Sequence, residues 1–334
     1  MNPTTNPQLV ESDLIDAKTS IDKINAAFRK KVVGQEELRL SLLTTLIAGG
    51  HILLESVPGL AKTLAAKTIA EATSGSFSRV QCTPDLLPSD IIGTQIYNAA
   101  NASFETQIGP VHANFVLLDE INRSSAKTQS AMLEAMQERQ VSIGGIKYEM
   151  PDPFFVLATQ NPIEQEGTYE LPEAQLDRFL LKEVISYPSR DEELQVLNYT
   201  IAGATTAPLA ETEKVPIEAV KKLHQYCQKV SVDDSIKNYI INLVQATRNP
   251  KEVIDLNLAH YVEYGVSPRG SLALMRVAQA LALINNRAYV TPDDVKQLRY
   301  AALRHRIILN YEADADGVHS EAIIDAIFSK IKTP

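Results

Sequence analysis

Five short, largely apolar runs alternate with helix-like segments over the first 190 residues of the chain. The runs span residues 51–55, 77–81, 115–120, 154–160 and 180–186, and each has the length of one strand. Runs that are apolar throughout are typical of parallel strands, because helices cover both faces of such a sheet. Helices predicted at 8–30, 36–48, 63–74 and 125–138 complete the alternation, which predicts an α/β fold.

Two further stretches within this framework predict β-hairpins. Residues 93–110 hold two short strand-like pieces around Asn98 to Asn101, and residues 139–150 alternate on either side of Gly144 and Gly145. A glycine pair between two alternating runs is typical of a tight hairpin turn. Both hairpins are predicted to be insertions in the α/β framework.

Beyond about residue 190 the sequence predicts helices alone, at 190–201, 216–229, 234–248, 269–286, 291–304 and 319–331. The segment 204–216, "ATTAPLAETEKVP", has the composition of a linker. The boundary between two domains is therefore predicted between residues 188 and 215. We divide the chain into an α/β domain over 1–200 and a small all-α domain over 201–334.

Charge and composition exclude several classes of function. The net charge is −9 and the isoelectric point is about 5.3, which argues against a generic attraction to nucleic acid or to an anionic membrane. The start of the chain lacks the pattern of a secretory signal, and no apolar run approaches the roughly 20 residues of a membrane helix. Cys82 and Cys227 have no metal-ligand spacing, so a reducing, cytoplasmic location is expected.

The stretch "ESVPGLAKTL", residues 55–64, joins the first predicted strand to a predicted helix. That context suits a phosphate-binding loop, in which backbone N–H groups surround phosphates, a lysine contacts the outer ones and a hydroxyl binds Mg²⁺. The pattern G-x-x-x-x-G-K-[ST] requires glycines where this chain has Ser56 and Ala61. Lys62 and Thr63 are present, but taken alone the stretch fits an ordinary strand–helix turn equally well.

Polar side chains follow two other predicted strands. Asp119 and Glu120 end the run "FVLLDE", and packing gives no reason for two acids there. Together with Lys62 and Thr63 they fit a residue that holds magnesium and a base that activates water. Asn161 follows the next strand and is either a turn residue or a contact to the γ-phosphate. Arg178, in isolation, favours a surface salt bridge with Asp177 or Glu173.

Together these segments resemble the MoxR family of AAA+ ATPases. The stretches "LLESVPGLAKT", "LLDEINR", "ATQNP", "LPEAQLDRF" and "SPRG" look like its Walker A, Walker B, sensor 1, arginine-finger and sensor 2 segments, in the same order. The resemblance covers about residues 30–332. MoxR proteins typically have a glycine and an alanine at the positions of Gly59 and Ala61, as this chain does. They also have a glycine where this chain has Ser56, and that difference puts in doubt how tightly the first turn closes.

The resemblance implies a P-loop NTPase core whose parallel sheet has the strand order 5-1-4-3-2, with β-hairpin inserts and a helical lid. It also implies ATP and Mg²⁺ as ligands. In related rings such hairpins face the pore and contact the client. A homo-oligomer, expected to be a hexameric ring, follows from the same resemblance.

The resemblance also assigns roles to individual residues. The catalytic residues would be Glu120 as base, Asn161 as sensor 1, Arg178 as the finger of a neighbouring subunit, Arg269 as sensor 2, and Arg123 as a cross-subunit contact or an intrahelix partner. Thr63 and Asp119 would serve the metal. The nucleotide would be bound by Val33, Gly34 and Gln35 at the adenine and by Ser56, Val57, Pro58, Gly59, Leu60, Ala61, Lys62, Thr63 and Leu64 at the phosphates.

Three functions are compatible with these residues. The first is a ring machine that hydrolyses ATP to remodel or mature a protein client, which in this family is often a von Willebrand A-type domain protein. The second, suggested by Ser56, is a nucleotide-gated scaffold with little hydrolysis. The third is a nucleic-acid motor, which the acidic charge disfavours and for which Lys147 is the one obvious phosphate contact.

Overall fold

A computed structural model describes residues 9–57, 59–162, 168–203 and 205–334. The α-helices are α1 (Glu11–Lys31), α2 (Glu36–Ile47), α3 (Lys62–Ala72), α4 (Pro88–Ile92), α5 (Ala126–Glu138), α6 (Glu173–Leu176), α7 (Arg190–Ile201), α8 (Ile217–Lys229), α9 (Asp234–Arg248), α10 (Leu256–Ala259), α11 (Pro268–Ile284), α12 (Pro292–Gln297), α13 (Arg299–Leu303), α14 (Tyr311–Ala315) and α15 (Ser320–Lys330). The strands are β1 (Ile52–Glu55), β2 (Phe77–Gln81), β3 (Gly93–Asn98), β4 (Ser103–Ile108), β5 (Phe115–Asp119), β6 (Gln140–Ile143), β7 (Ile146–Glu149), β8 (Phe155–Gln160), β9 (Leu181–Val184), β10 (Val262–Tyr264) and β11 (Ile308–Leu309).

Five strands form one parallel sheet in the order β2-β5-β8-β1-β9. Counted from 1 to 5 along the chain, these strands read 5-1-4-3-2 from the other edge, so the predicted order is confirmed. Side chains of β1, β5 and β8 are buried almost throughout, which explains why these runs are apolar without alternation.

The sheet aligns the carboxyl ends of its strands at one edge. Glu55 at the end of β1 lies opposite Gln160 of β8, and Asp119 at the end of β5 lies opposite Gln81 of β2. Polar residues that are far apart in sequence therefore meet at this edge. The residues that precede the strands lie at the opposite edge.

The two predicted hairpins are present. β3 pairs with β4, and β6 pairs with β7, in both cases antiparallel. The turn of the second hairpin is formed by Gly144 and Gly145, whose φ angles of 57° and 83° lie in the region that glycine adopts most readily.

The part of the chain after α7 is helical, with two differences from the sequence prediction. The helix predicted at 291–304 is two short helices, α12 and α13, separated at Leu298. In addition, β10 and β11 form a short antiparallel pair where only helices were expected. These strands have three and two residues, too few for an alternating pattern to show in the sequence.

One apolar cluster connects the sheet to the helices at both ends of the chain. Its buried members include Phe28 of α1, Leu42 of α2, Leu54 of β1, Leu243 of α9 and Leu281 of α11. A second cluster covers the other face of the sheet and includes side chains of α5. The division of the chain at residues 200 and 201 stays a prediction.

Membrane-spanning helices were sought throughout the described ranges. None of their helices has both the length and the apolar character that crossing a bilayer requires.

Candidate phosphate-binding site

The loop between β1 and α3 has the backbone of a turn that curls around open space. Gly59 has a φ of 88°, and a Cβ added there would meet no atom within 4 Å. Ser56 is buried; its amide donates to the carbonyl of Gln160 at 3.2 Å and its hydroxyl to the carbonyl of Val57 at 3.1 Å. Ser56 is not among the residues with positive φ, so its backbone conformation does not require glycine. Pro58 lies outside the described residues.

Lys62 is the first residue of α3, and its side chain turns back over the loop. Its Nζ lies 3.5 Å from the carbonyl oxygen of Ser56. Burial lowers the pKa of the Lys62 ammonium, and the nearby carboxylates of Asp119 and Glu120 act in the opposite direction. The Lys62 amine therefore lies close enough to Asp119 and Glu120 to interact with both carboxylates.

Asp119, the last residue of β5, is buried with both carboxylate oxygens engaged. Its Oδ1 accepts a hydrogen bond from the hydroxyl of Thr159 at 2.8 Å. Its Oδ2 accepts from Arg79 of β2, with 2.6 Å to Nη2 and 3.2 Å to Nε. The carboxylate is thus fixed in orientation by the two strands on either side of β5.

Glu120 follows Asp119 in a left-handed conformation, with a φ of 58°. Its backbone N–H donates to the hydroxyl of Thr159 at 2.8 Å, which holds this turn against β8. Its Oε2 accepts from Gln81 at 3.1 Å and from Arg123 at 3.2 Å. A non-glycine residue in this conformation is uncommon and is concentrated at functional sites. Arg123 belongs to a 3₁₀ turn at Ile121–Arg123 and contacts Glu120 of its own chain.

A cavity of about 450 Å³ brings the loop, α3 and the two acids together. Its lining consists of Gly59, Leu60, Ala61, Lys62, Thr63, Leu64, Arg79, Gln81, Asp119 and Glu120. A helix N-terminus, an ammonium and backbone amides suit phosphates. The Asp119 carboxylate and the Thr63 hydroxyl are oxygen ligands, which Mg²⁺ prefers.

Sequence reasoning missed three residues of this site. Arg79 and Gln81 were assigned to a strand without a role, and Thr159 was counted as part of an apolar run. The available signal was that Arg79 and Gln81 are two residues apart and so share one face of β2. Their relation to Asp119 depends on the pairing of β2 with β5, which the residues alone do not state.

Arg178 and Arg269 do not line this cavity. They line a second cavity of about 300 Å³ together with His51 and Leu180, the residues that immediately precede β1 and β9. This cavity therefore lies at the amino ends of the strands, whereas Lys62 and Asp119 lie beyond the carboxyl ends. Its cationic lining residues are Arg139, Arg178, Arg269, Arg276 and Arg306.

Asp177 ties this second cavity to the helical part of the chain. Its Oδ1 accepts from Nε of Arg306 at 2.8 Å, and its Oδ2 accepts from the hydroxyl of Ser267 at 2.8 Å. Arg269 Nη1 is 4.0 Å from the same Oδ2. Arg306 is buried, which lowers its pKa to about 10 although Asp177 acts in the opposite direction. The Asp177 carboxylate therefore interacts with residues of the helical part of the chain, and not with its neighbour Arg178.

The Nε atom of Arg178 is buried and has no hydrogen-bond partner among the residues that the structure describes. Within the described residues, Arg178 forms no salt bridge with Asp177 or Glu173, the pairing that its sequence position favours in isolation. A buried guanidinium nitrogen without an acceptor, on the wall of a cavity rich in arginine, is suited to an anion supplied from outside this chain.

The remaining predicted site residues do not line the first cavity. Asn161 is buried directly after β8, and its backbone oxygen accepts from the side chain of Asn122 at 3.4 Å. Gln35 donates to the carbonyl of Ser186, which follows β9, at 3.5 Å. The segment Val33, Gly34 and Gln35 therefore lies beside β9, next to β1. The roles assigned to these residues stay predictions.

Comparisons with known proteins agree with this geometry. The family model for the "ATPase family associated with various cellular activities (AAA)" matches residues 51–181, and the model for the AAA lid domain matches residues 255–327. The chain is similar to Chaperone MoxR1 of Mycobacterium tuberculosis, with 45% identity over 92% of this chain and 80% of that protein. It is also similar to the protein YeaC of Bacillus subtilis, with 48% identity over 91% of each chain.

Protein MoxR of Paracoccus denitrificans is a more distant relative, with 31% identity over 97% of this chain and 99% of that protein. Among solved structures, a crystal structure of a protein from Cytophaga hutchinsonii has a TM-score of 0.89 and 46% identity. It covers 97% of this chain and 98% of that one. The similarity therefore extends over both the strand-bearing and the helical parts.

Proposed function

Because the chain belongs to the MoxR family of AAA+ ATPases, we propose that it hydrolyses ATP as a ring of identical subunits and uses the energy to remodel a protein client. The observation that carries this proposal is the separation of the two cavities. Lys62 and the two acids share one cavity, while Arg178 and Arg269 share another at the opposite edge of the sheet. In a ring, one surface of each subunit contacts a different surface of its neighbour. Each nucleotide site would therefore be formed by residues of two chains.

Within one chain, the loop and Lys62 would bind the phosphates, and Glu120 would accept a proton from the attacking water. Gln81, Arg123 and the N–H bond to Thr159 hold Glu120 in position for this role. Thr63 and Asp119 would hold Mg²⁺, which neutralises charge that develops on the phosphate oxygens. The arginines of the next chain would face the same phosphates.

The client would contact the first hairpin. Tyr97 of β3 and Phe104 of β4 form an edge-to-face pair at 5.4 Å between ring centres, and their exposed fractions are 55% and 67%. Exposed paired aromatic residues are typical of protein-binding surfaces. Lys147, the one phosphate contact expected of a nucleic-acid motor, lines a cavity in which two acids, Glu134 and Glu138, balance the charges of Lys147 and Arg178, so this cavity is not the basic surface that a polyanion requires.

The test measures nucleotide binding and turnover separately. Glu120→Gln should retain ATP binding and lose at least about 100-fold in turnover, because general-base catalysis contributes that much. Arg178→Ala should likewise bind ATP and lose turnover. Arg190→Ala is the matched control, since the Arg190 side chain is 93% exposed and pairs only weakly with Asp191, at 3.9 Å.

Mixing the two inactive variants tests the arrangement between chains. A Glu120→Gln chain still carries Arg178, and an Arg178→Ala chain still carries Glu120, so some interfaces in a mixture contain both residues. Turnover should therefore reappear in the mixture above the sum of the separate variants. Recovery that fails under conditions where wild-type rings form would contradict the shared site, and wild-type protein that binds ATP without turnover would support a scaffold instead.

A further inference from the structure

The Arg79–Asp119 contact is unusual for its position in the candidate site. The guanidinium approaches Oδ2, with Nη2 at 2.6 Å and Nε at 3.2 Å, while Oδ1 is taken by the Thr159 hydroxyl. The Arg79 guanidinium therefore contacts Asp119, the carboxylate that would hold Mg²⁺ under the proposed function. The charge-assisted hydrogen bonds place it where a metal or its water shell would need the same lone pairs.

The pairing of strands directs Arg79 to this place. Gln81 lies opposite Asp119 and Arg79 lies opposite Leu117, and directly paired residues of a parallel sheet point to the same face. Val80, between them, is buried on the other face. Arg79 and Gln81 therefore both lie on the face that carries Asp119, and α3 packs against β5 on the same side.

The two partners of this contact differ in burial. The side chain of Arg79 is 47% exposed, whereas that of Asp119 is 12% exposed. Solvent close to the guanidinium screens its attraction to the carboxylate, as it does for surface ion pairs. A metal that replaced its charge at Asp119 would let Arg79 turn toward the cavity that it lines, while Asp119 would keep its hydrogen bond to Thr159.

Charge makes the contact relevant to ligands. The titratable residues of the cavity are two cations, Lys62 and Arg79, and two acids, Asp119 and Glu120. A divalent metal at Asp119 would meet the Arg79 guanidinium on the same oxygen and be repelled by it. Phosphates that arrive without metal would instead be attracted by it.

We infer that Arg79 is a resident counter-ion of Asp119, which the metal must displace and which in its absence supplies positive charge to the bound phosphates. This inference rests on the proposed function, because it requires the cavity to bind a nucleotide. It makes Arg79 the residue that sets how strongly nucleotide binding depends on divalent metal.

The test is the binding of a fluorescent ATP analogue to the full chain, first in EDTA and then across a Mg²⁺ titration. Replacing Arg79 by glutamine should weaken metal-free binding by about threefold to tenfold, the size expected for one partly screened charge. The same change should lower the Mg²⁺ concentration for half-maximal enhancement of binding by a similar factor. Direct binding of Mn²⁺ to the nucleotide-bound chain, followed by electron paramagnetic resonance, should become tighter in Arg79→Gln.

Two further variants separate charge from geometry. Arg79→Lys keeps the charge but loses the planar fork, so metal-free binding should stay near that of the wild type while the Mg²⁺ requirement falls part of the way. Lys67→Gln removes the same charge from an exposed position on α3 that does not line the cavity, and should move neither quantity.

The two effects of Arg79→Gln have opposite signs, which a general loss of structure would not produce. If the variant changes metal-free and metal-bound affinity in the same direction, or changes neither, the counter-ion inference is overturned. If the wild-type chain binds no nucleotide at all, the proposed function itself fails. Wild-type binding with an unaltered metal dependence in the variant overturns only the role of Arg79.

Discussion

Thr159 joins the two acids of the candidate site through one hydroxyl. The hydroxyl donates to Asp119 Oδ1 and accepts the backbone N–H of Glu120, both at 2.8 Å, and the residue is fully buried. A hydroxyl is suited to this double role because it has one proton and two lone pairs. The position of Glu120 therefore depends on a side chain from the neighbouring strand.

Replacing Thr159 by valine keeps the shape of the side chain and removes both hydrogen bonds. It should destabilise the fold by about 1–3 kcal/mol, because a buried carboxylate oxygen and a partly buried N–H each lose a partner. Turnover should also fall, since the backbone of Glu120 is no longer fixed. Urea unfolding and an ATPase assay on the same preparations measure the two effects.

Thr44→Val is the matched control for this prediction. Thr44 is fully buried in α2, and its hydroxyl has no hydrogen-bond partner among the described residues. The same substitution there should change the free energy of unfolding by less than about 0.5 kcal/mol or increase it. Equal losses at the two positions would show that the hydrogen bonds of Thr159 contribute nothing.

At the scale of the elements, apolar runs and their alternation with helix-like segments predicted much of the fold. The predicted bounds of β2, α7 and α9 are those observed. α7 begins after Ser189, which forms a capping box with Glu192, and α9 begins after Asp233, whose side chain accepts from the amide of Ser235. These signals are local in sequence, so a single chain displays them.

The partners that meet across the sheet were harder to predict than the elements. Lys62, Thr63, Asp119 and Glu120 were expected together because their chemistry fits one phosphate and magnesium site. Arg79 was not, because its contact depends on the register between β2 and β5, which the predicted strand order does not give. Patterns along one strand do not record pairing between strands, so this part of the site required coordinates.

Ser267 caps the N-terminus of α11 and also contacts Asp177, the residue before Arg178. The hydroxyl of Ser267 accepts from the amide of Arg269 at 3.1 Å and donates to Asp177 at 2.8 Å. Ser267→Ala should therefore destabilise the fold by about 1–2 kcal/mol, the upper part of the range for lost caps. Thermal unfolding followed by circular dichroism measures the loss.

Ser189→Ala, at the cap of α7, provides the comparison for Ser267. Ser189 bonds to the exposed Glu192, and no residue of α7 is buried. The loss there should stay below about 1 kcal/mol, since water can replace the exposed partner. A larger loss at Ser189 than at Ser267 would contradict a tethering role for the contact to Asp177.

At the scale of the whole molecule, ion pairs of very different burial connect α1 to the rest of the chain. Lys31 lies 2.5 Å from Glu71 of α3, and its side chain is 6% exposed. Glu71 also accepts the amide of Leu209 at 2.6 Å. The adjacent Lys30 pairs with Glu213 at 2.7 Å, but both of those side chains are substantially exposed. Three distant segments therefore meet at Glu71.

Glu71→Gln should destabilise the whole chain by about 2–4 kcal/mol, because it leaves the buried Lys31 ammonium without a counter-charge. The amide oxygen of glutamine can still accept from Leu209, so the change isolates the charge. Glu213→Gln removes the same charge from the exposed pair and should cost less than about 1 kcal/mol. Urea unfolding of both variants measures the loss in free energy of unfolding for each. Equal losses would contradict the claim that burial makes the Lys31–Glu71 pair the stronger of the two.

The placement of Lys62 and Arg178 beyond opposite ends of the same strands has a consequence for how the protein behaves on dilution. Under the proposed function an isolated chain carries two half-sites and no whole one, however stable its fold. The turnover rate per chain should then fall on dilution, and it should rise with protein concentration to a plateau where all chains are assembled. The concentration of the protein itself, rather than that of the nucleotide, would then control its activity.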